Sequence, residues 1–203
     1  MNTESNRNVS QHTAAAVITH EVRDYDAWKV VFDEHATARK RAGITQSHVN
    51  RSADRPNVVT VYLAADTSEA IGRFLADPEV KSTMQRAGVT SAPTVAMITV
   101  LDDLTVKDRP LAGAIIKHKV ADYGTWKKAF DVHVAARAKA GVIGHAVNRS
   151  NDDPNMLIVY LQAESLDSLR LLASSEDMKA TMMKAGVQGA PEIFFVQGQR
   201  WEK

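Results

Sequence analysis

Apolar residues recur with two different periods along this chain, and the period changes in a fixed order. Over residues 17–22 apolar and polar positions alternate in a β-branched stretch, the pattern of a half-buried strand. Tyr25, Trp28, Phe32, His35, Arg39 and Ala42 then follow at steps of three and four, which predicts a helix with one inward stripe. Asp24 stands where its N-cap belongs, and Gly43 offers the left-handed conformation that ends a helix. Residues 44–52 and 58–65 read as strands flanking the tight turn Asp54-Arg55-Pro56-Asn57. Residues 68–75 are helical, Asp77-Pro78 restarts or kinks that helix, Gly88 ends it, and 94–100 form a fourth strand. The order is β-α-β-β-α-β, the ferredoxin-like arrangement.

The same succession returns 98 residues later. His20 matches His118, Trp28 matches Trp126, Gly43 matches Gly141, Pro56 matches Pro154 and Pro93 matches Pro191, with no gap. About 35 of roughly 87 aligned positions are identical, so the chain is a domain-sized duplication rather than a solenoid. The predicted organisation is a polar N-terminal tail over 1–13, repeat 1 over 14–101, a linker over 102–111, repeat 2 over 112–199 and a short tail over 200–203.

The third strand indicates how the repeats meet. Val59, Val61, Leu63 and Ala65 match Leu157, Val159, Leu161 and Ala163, an apolar face suited to lie under helices. The opposite face, with Tyr62 and Tyr160, is too apolar to be left in water. Both helices of a ferredoxin-like unit cover one face of its sheet, so the other face needs a partner. The fold class expected is therefore α+β: two tandem ferredoxin-like βαββαβ repeats packed sheet to sheet as an intrachain pseudo-dimeric α/β barrel.

Composition narrows the chemistry. Lys plus Arg is 25 against 24 for Asp plus Glu, a balance that argues against nucleic acid as a partner. No cysteine is present, which removes disulfides, thiolate metal sites and cysteine nucleophiles. No apolar run suits a membrane span and the N-terminal stretch has no signal core, so a cytoplasmic protein without membrane contact is expected. No HxH, HExxH or phosphate-cradling glycine loop occurs, so neither metal nor cofactor is expected.

Polar residues retained in both repeats are the candidate site: His20 and His118, His35 and His133, Arg39 and Arg137, Asn50 and Asn148, Arg51 and Arg149, Tyr62 and Tyr160. His35 and Arg39 are four apart on one helical face, so the imidazole has the placement of a base and the guanidinium that of an anion partner. On the inward stripe, His35 and His133 are also expected to be buried and neutral as structural groups. His20 and His118 fall at a strand end, suited to catalysis or to capping. Arg51 is expected to pair with Asp54 and Asn50 to bond local backbone, or both stand at the barrel mouth. Tyr62 and Tyr160 line the presumed interior, and Trp28 and Trp126 begin the apolar stripe as core.

With Asp24-Tyr25-x-x-Trp28, Ala87-Gly88-Val89 and this element order, the chain resembles the dimeric α/β-barrel superfamily. That group includes antibiotic-biosynthesis-monooxygenase-like and stress-responsive barrel proteins, many of which close the barrel from two identical chains. The resemblance implies a small-molecule-binding barrel for an apolar or aromatic ligand, with further homo-oligomerisation open. Two functions follow from it. One is a cofactor-free monooxygenase or isomerase acting on a phenolic, quinol or enolisable ligand; the other is a non-catalytic ligand-binding or stress-related barrel. Cofactor-free oxygenases of this type use Trp, Asn, Tyr and Arg, the residue types of Trp28, Asn50, Arg51 and Tyr62, but the resemblance carries no catalytic role to any one of them. A cavity beside Tyr62 or Tyr160 favours an enzyme or binder, and a solid interior favours a structural role.

Overall fold

The computed structural model describes residues 14–199 and 201. The tail expected over 1–13 lies outside the described residues, as do 200, 202 and 203 of the C-terminal segment. In repeat 1 the elements are β1 (Ala14–Glu21), α1 (Tyr25–Glu34), α2 (Ala36–Arg41), β2 (Ile44–Ser52), β3 (Val58–Ala65), α3 (Ser68–Ala76), α4 (Pro78–Arg86) and β4 (Thr94–Asp103). Repeat 2 supplies β5 (Ala112–Val120), α5 (Tyr123–Val132), α6 (Val134–Lys139), β6 (Val142–Ser150), β7 (Met156–Ala163), α7 (Leu166–Ser174), α8 (Glu176–Lys184) and β8 (Val187–Gly198).

Local chemistry sets these boundaries. Asp24 and Asp122 cap their helices by accepting from the Ala27 and Thr125 amides, each at 2.8 Å. Gly43 and Gly141 end the first helical region of each repeat at φ 87° and 92°, where an L side chain is strained. Asp77 caps α4 at the Glu79 amide (2.8 Å) with Pro78 in the first turn. The single helix expected over 25–42 is divided instead. His35 sits between α1 and α2 at φ −87°, ψ 10°, and its Nδ1 faces the Val31 carbonyl at 2.9 Å. A side chain bonded to the preceding turn competes with the helical ladder there.

The eight strands form one closed antiparallel barrel in the order β1-β3-β2-β8-β5-β7-β6-β4. Each repeat contributes four contiguous strands, and the two sheets face each other as expected. They are also hydrogen-bonded along both edges. At one seam Ile98, Thr99 and Val100 pair with Ser150, Arg149 and Asn148, and a bulge then brings Asp102 and Asp103 to Val147 and Ala146. At the other, Asn50, Arg51 and Ser52 pair with Gly198, Gln197 and Val196. Three apolar clusters result. One lies under the helices of each repeat, built on Val59, Val61 and Leu63 or on Leu157, Val159 and Leu161. The third fills the barrel and includes Ala15, Ala64, Ile98, Ile158 and Tyr160. Among the described residues no helix is long and apolar enough to cross a membrane.

Closure consumes the two strand edges that each lone repeat would expose. Residues 1–105 and 106–203 produced separately are therefore expected to self-dimerise or aggregate. Sedimentation of either half as a stable monomer at low concentration would refute the sealing role of the seams.

Candidate functional site

Ten of the twelve residues retained in both repeats divide among three regions. His20, His35 and Arg39 line a cavity of about 140 Å3 between the helices and sheet of repeat 1. Their counterparts His118, His133 and Arg137 line the equivalent space in repeat 2, where the cavity is about 500 Å3. Asn50, Asn148, Tyr62 and Tyr160 face the barrel interior, where only about 40 Å3 is empty. That is room for about three water molecules, so the barrel is nearly solid. The interior pocket expected from the two tyrosines is thus closed, and the larger spaces lie on the outer faces of the sheet.

Arg51 and Arg149 belong to none of these spaces. Arg51 donates from Nε to the Pro56 carbonyl at 2.7 Å and lies 4.1 Å above the Tyr25 ring, while Arg149 lies 5.3 Å from the Tyr123 ring. The expected Arg51–Asp54 pair is absent, because Asp54 is taken by Arg170 of repeat 2 at 2.7 Å. Asn148 donates to the Ile158 carbonyl at 3.0 Å. Asn50 instead accepts from the Tyr160 hydroxyl at 3.0 Å, a buried bond between the repeats.

The histidines exchange their expected roles. His35 and His133 are half-buried at helix ends, not sealed in the core, because the break between the helices places them near the surface. Their Nε2 atoms face Thr83 Oγ1 at 3.1 Å and Thr181 Oγ1 at 3.4 Å. Among the retained pairs the buried imidazoles are His20 and His118, 5% and 6% exposed and packed at 5.6 and 5.5 Å against Trp28 and Trp126. Desolvation lowers both to a pKa of about 4, so both are neutral at pH 7. Arg39 and Arg137 each donate back to a carbonyl of their own helical region, of Phe32 and Phe130, with the guanidinium about 3.7 and 3.6 Å above those rings. Burial lowers the Arg137 pKa from its ordinary value.

The unequal cavities follow from a few substitutions between repeats. Phe74 and Leu75 of repeat 1 correspond to Leu172 and Ala173 of repeat 2, and all four face their cavities. Met178, Met182 and Met183 supply adaptable walls to the larger space.

No family model matches the chain, and no curated protein matches it. Solved structures do. A protein of Fusobacterium nucleatum subsp. nucleatum, provisionally a monooxygenase, superposes with a TM-score of 0.66 over 96% of this chain and 95% of its own, at 11% identity. An anthrone oxidase-like protein gives 0.67 over 96% and 94%, at 14% identity. A provisional chlorite dismutase gives 0.61 over 93% and 95%, at 13% identity. This is the dimeric α/β-barrel fold. Here the barrel is closed by two ferredoxin-like repeats of one chain.

Imidazoles and carboxylates are the ligands this dimeric α/β barrel could offer a haem or a metal ion. His118 lines the 500 Å3 cavity, but both of its ring nitrogens are buried without a hydrogen-bond partner, and His133 Nε2 is directed at Thr181 Oγ1. Among the described residues, no group of three or more His, Asp or Glu side chains could hold a metal ion.

Retention between repeats missed three residues of the barrel interior. His48, 3% exposed, corresponds to Ala146; Gln162, 2% exposed, corresponds to Ala64; Trp201 corresponds to Asp103. Gln162 clamps the segment between the repeats through the Val106 amide (2.8 Å) and carbonyl (3.1 Å). The available signal was the opposite of retention: inward-facing positions at which the two copies differ sharply.

Proposed function

We propose that this barrel binds a small, largely apolar phenolic, quinol or enolisable molecule in the helix–sheet cavity of repeat 2 and moves a proton on it without a cofactor. The observation that carries the reading is the 500 Å3 apolar cavity, of a size suited to small molecules, with His133 and Arg137 in its wall. An apolar site desolvates the ligand. The half-buried His133 takes the proton from its O–H or activated C–H, and the Arg137 guanidinium stabilises the oxyanion left behind. Oxygenation or isomerisation would follow from that anion. The monooxygenase and anthrone oxidase-like names of the fold's relatives support this class of chemistry over others. The non-catalytic alternative draws on two observations: the barrel interior is nearly solid, and both nitrogens of the second histidine of the site, His118, are buried.

Repeat 1 supplies the test, since it tolerates Phe74 and Leu75 where repeat 2 has Leu172 and Ala173. Anthrone is an apolar, enolisable probe. The double variant L172F/A173L is expected to lower anthrone affinity by about tenfold or more while the chain stays folded. His133→Gln is expected to keep anthrone affinity and slow dioxygen consumption with anthrone by about a hundredfold. Unchanged anthrone binding in L172F/A173L would remove the cavity from the reading. Binding without dioxygen consumption in the parent chain would favour the non-catalytic alternative.

A further inference from the structure

We propose that the barrel interior is a second binding site, for a planar aromatic molecule bearing an O–H or N–H donor, which Trp201 occupies in the free protein. The Trp201 indole lies parallel to the His48 ring, with centroids 4.3 Å apart and planes 9° from coincidence. It meets Tyr62 edge-on at 5.6 Å, and the Lys107 ammonium stands 4.7 Å from its centroid. Stacking, edge contact and a cation on one flat ring make a surround specific for aromatic molecules.

The indole matches the shape of this site and leaves its polar groups unmatched. Trp201 Nε1 has no acceptor and Asn148 Oδ1 has no donor, although both atoms are buried, and the buried His48 ring has no polar neighbour closer than the Asn50 side chain and the Lys107 charge. Buried polar atoms without partners are uncommon in folded proteins, and here they gather around the remaining 40 Å3 of space. His48 and Asn148 are at least nine-tenths buried and line that space. A phenol or aryl amine would keep the stack on His48 and bring the donor hydrogen that Asn148 Oδ1 lacks.

Trp201 is also placed to leave. It follows the last ladder pair of β8, and the backbone is fixed before it by the Gly198 amide on the Leu111 carbonyl and the Gln199 amide on the Val49 carbonyl, both at 2.9 Å. Its counterpart in repeat 1, Asp103, is held by Thr105 and Lys107. Lys107 is thereby anchored at 2.9 Å and stays at the site when the indole moves. Departure of Trp201 breaks no β pairing among the described residues and leaves a slot between His48 and Tyr62.

The test uses 2-naphthol, with naphthalene as the ring without a donor, in the L172F/A173L background so that the repeat 2 cavity does not contribute. A ligand that competes with an internal occupant loses affinity in proportion to the open fraction, so Trp201→Ala is expected to tighten 2-naphthol binding about tenfold or more by calorimetry. Naphthalene is expected to gain clearly less, and Ala146→Leu, which fills the interior, to abolish the gain. A change below about twofold, or a gain that survives Ala146→Leu, would overturn the site. Should Trp201→Ala fold poorly, the chain retaining Trp201 and labelled with 5-fluorotryptophan gives a second reading. Saturating 2-naphthol is expected to move the fluorine resonance of Trp201 toward that of an exposed indole and leave those of Trp28 and Trp126 in place. A Trp201 resonance that does not move at saturation would overturn the proposal.

Discussion

Acidification from about pH 7 to about pH 4.5 is expected to unfold this protein, with the loss beginning near pH 6.5. Three buried imidazoles carry the effect. His20, His118 and His48 are 5%, 6% and 3% exposed, and each has a pKa lowered from 6.5 to about 4. Desolvation is the cause in all three; at His48 the neighbouring Asn50 opposes it in part and the Lys107 charge adds to it. Because the folded pKa lies below the unfolded one, the unfolded chain takes up protons first as pH falls. The stabilisation is complete above pH 6.5, declines from there toward pH 4, and falls no further once the folded imidazoles also protonate. Each such shift corresponds to about 3 kcal/mol, so three remove roughly 7–10 kcal/mol, comparable with the whole stability of an ordinary domain. Urea unfolding at a series of pH values measures the slope. Three protons taken up on unfolding give about 4 kcal/mol per pH unit, and a slope equivalent to one proton or fewer would show that these rings are not held neutral.

Truncating Trp28 to alanine is expected to destabilise the chain by about 4–5 kcal/mol, the upper part of the range for large core residues. The indole is 3% exposed and stacks on Phe32 at 5.1 Å, with His20 and Tyr25 at 5.6 and 6.0 Å. It borders only the smaller, 140 Å3 cavity, so its truncation removes more contacts in this more tightly filled repeat. Trp126, 4% exposed, has a comparable stack on Phe130 at 5.0 Å, but one side borders the 500 Å3 cavity. With fewer contacts to lose there, Trp126→Ala is expected nearer 3 kcal/mol. Urea midpoints at constant m-value give both numbers. A cost below about 1 kcal/mol at either position would mean that the ring packs loosely, and a larger cost at Trp126 would contradict the difference in filling.

The strands were the most legible part of the sequence. Residues 44–52 and 58–65 carry the alternation and turn chemistry of a hairpin that local rules specify almost completely, and β2 and β3 occupy those spans. The break at His35 was not legible, because Tyr25, Trp28, Phe32, His35, Arg39 and Ala42 keep helical phase across it. Burial of His20 was hidden for a related reason: alternation gives the face of a strand, and only the position of Trp28 shows how deeply that face is covered. The interior escaped most thoroughly. Filling it depends on side chains from eight strands and on Trp201, which lies beyond the aligned repeats. The 500 Å3 cavity was in principle readable from Leu75 against Ala173, a difference within the duplication that a search for shared residues discards.

Both seams of the barrel join parts of one polypeptide, and this changes how the assembly responds to dilution and to mutation. A barrel made by two separate chains dissociates when dilute; a tethered one keeps its partner at a high effective concentration, so its melting temperature is independent of protein concentration. The tether also releases the two halves from identity. In a symmetric pair any change appears on both sides, so a tryptophan entering from one end would be met by a second from its mate. Fusion lets Trp201 occupy the position that corresponds to the pinned Asp103, His48 that of Ala146, and one helix–sheet space open while the other stays narrow. Duplication followed by linkage has thus converted a two-fold scaffold into one that can hold two unlike compartments.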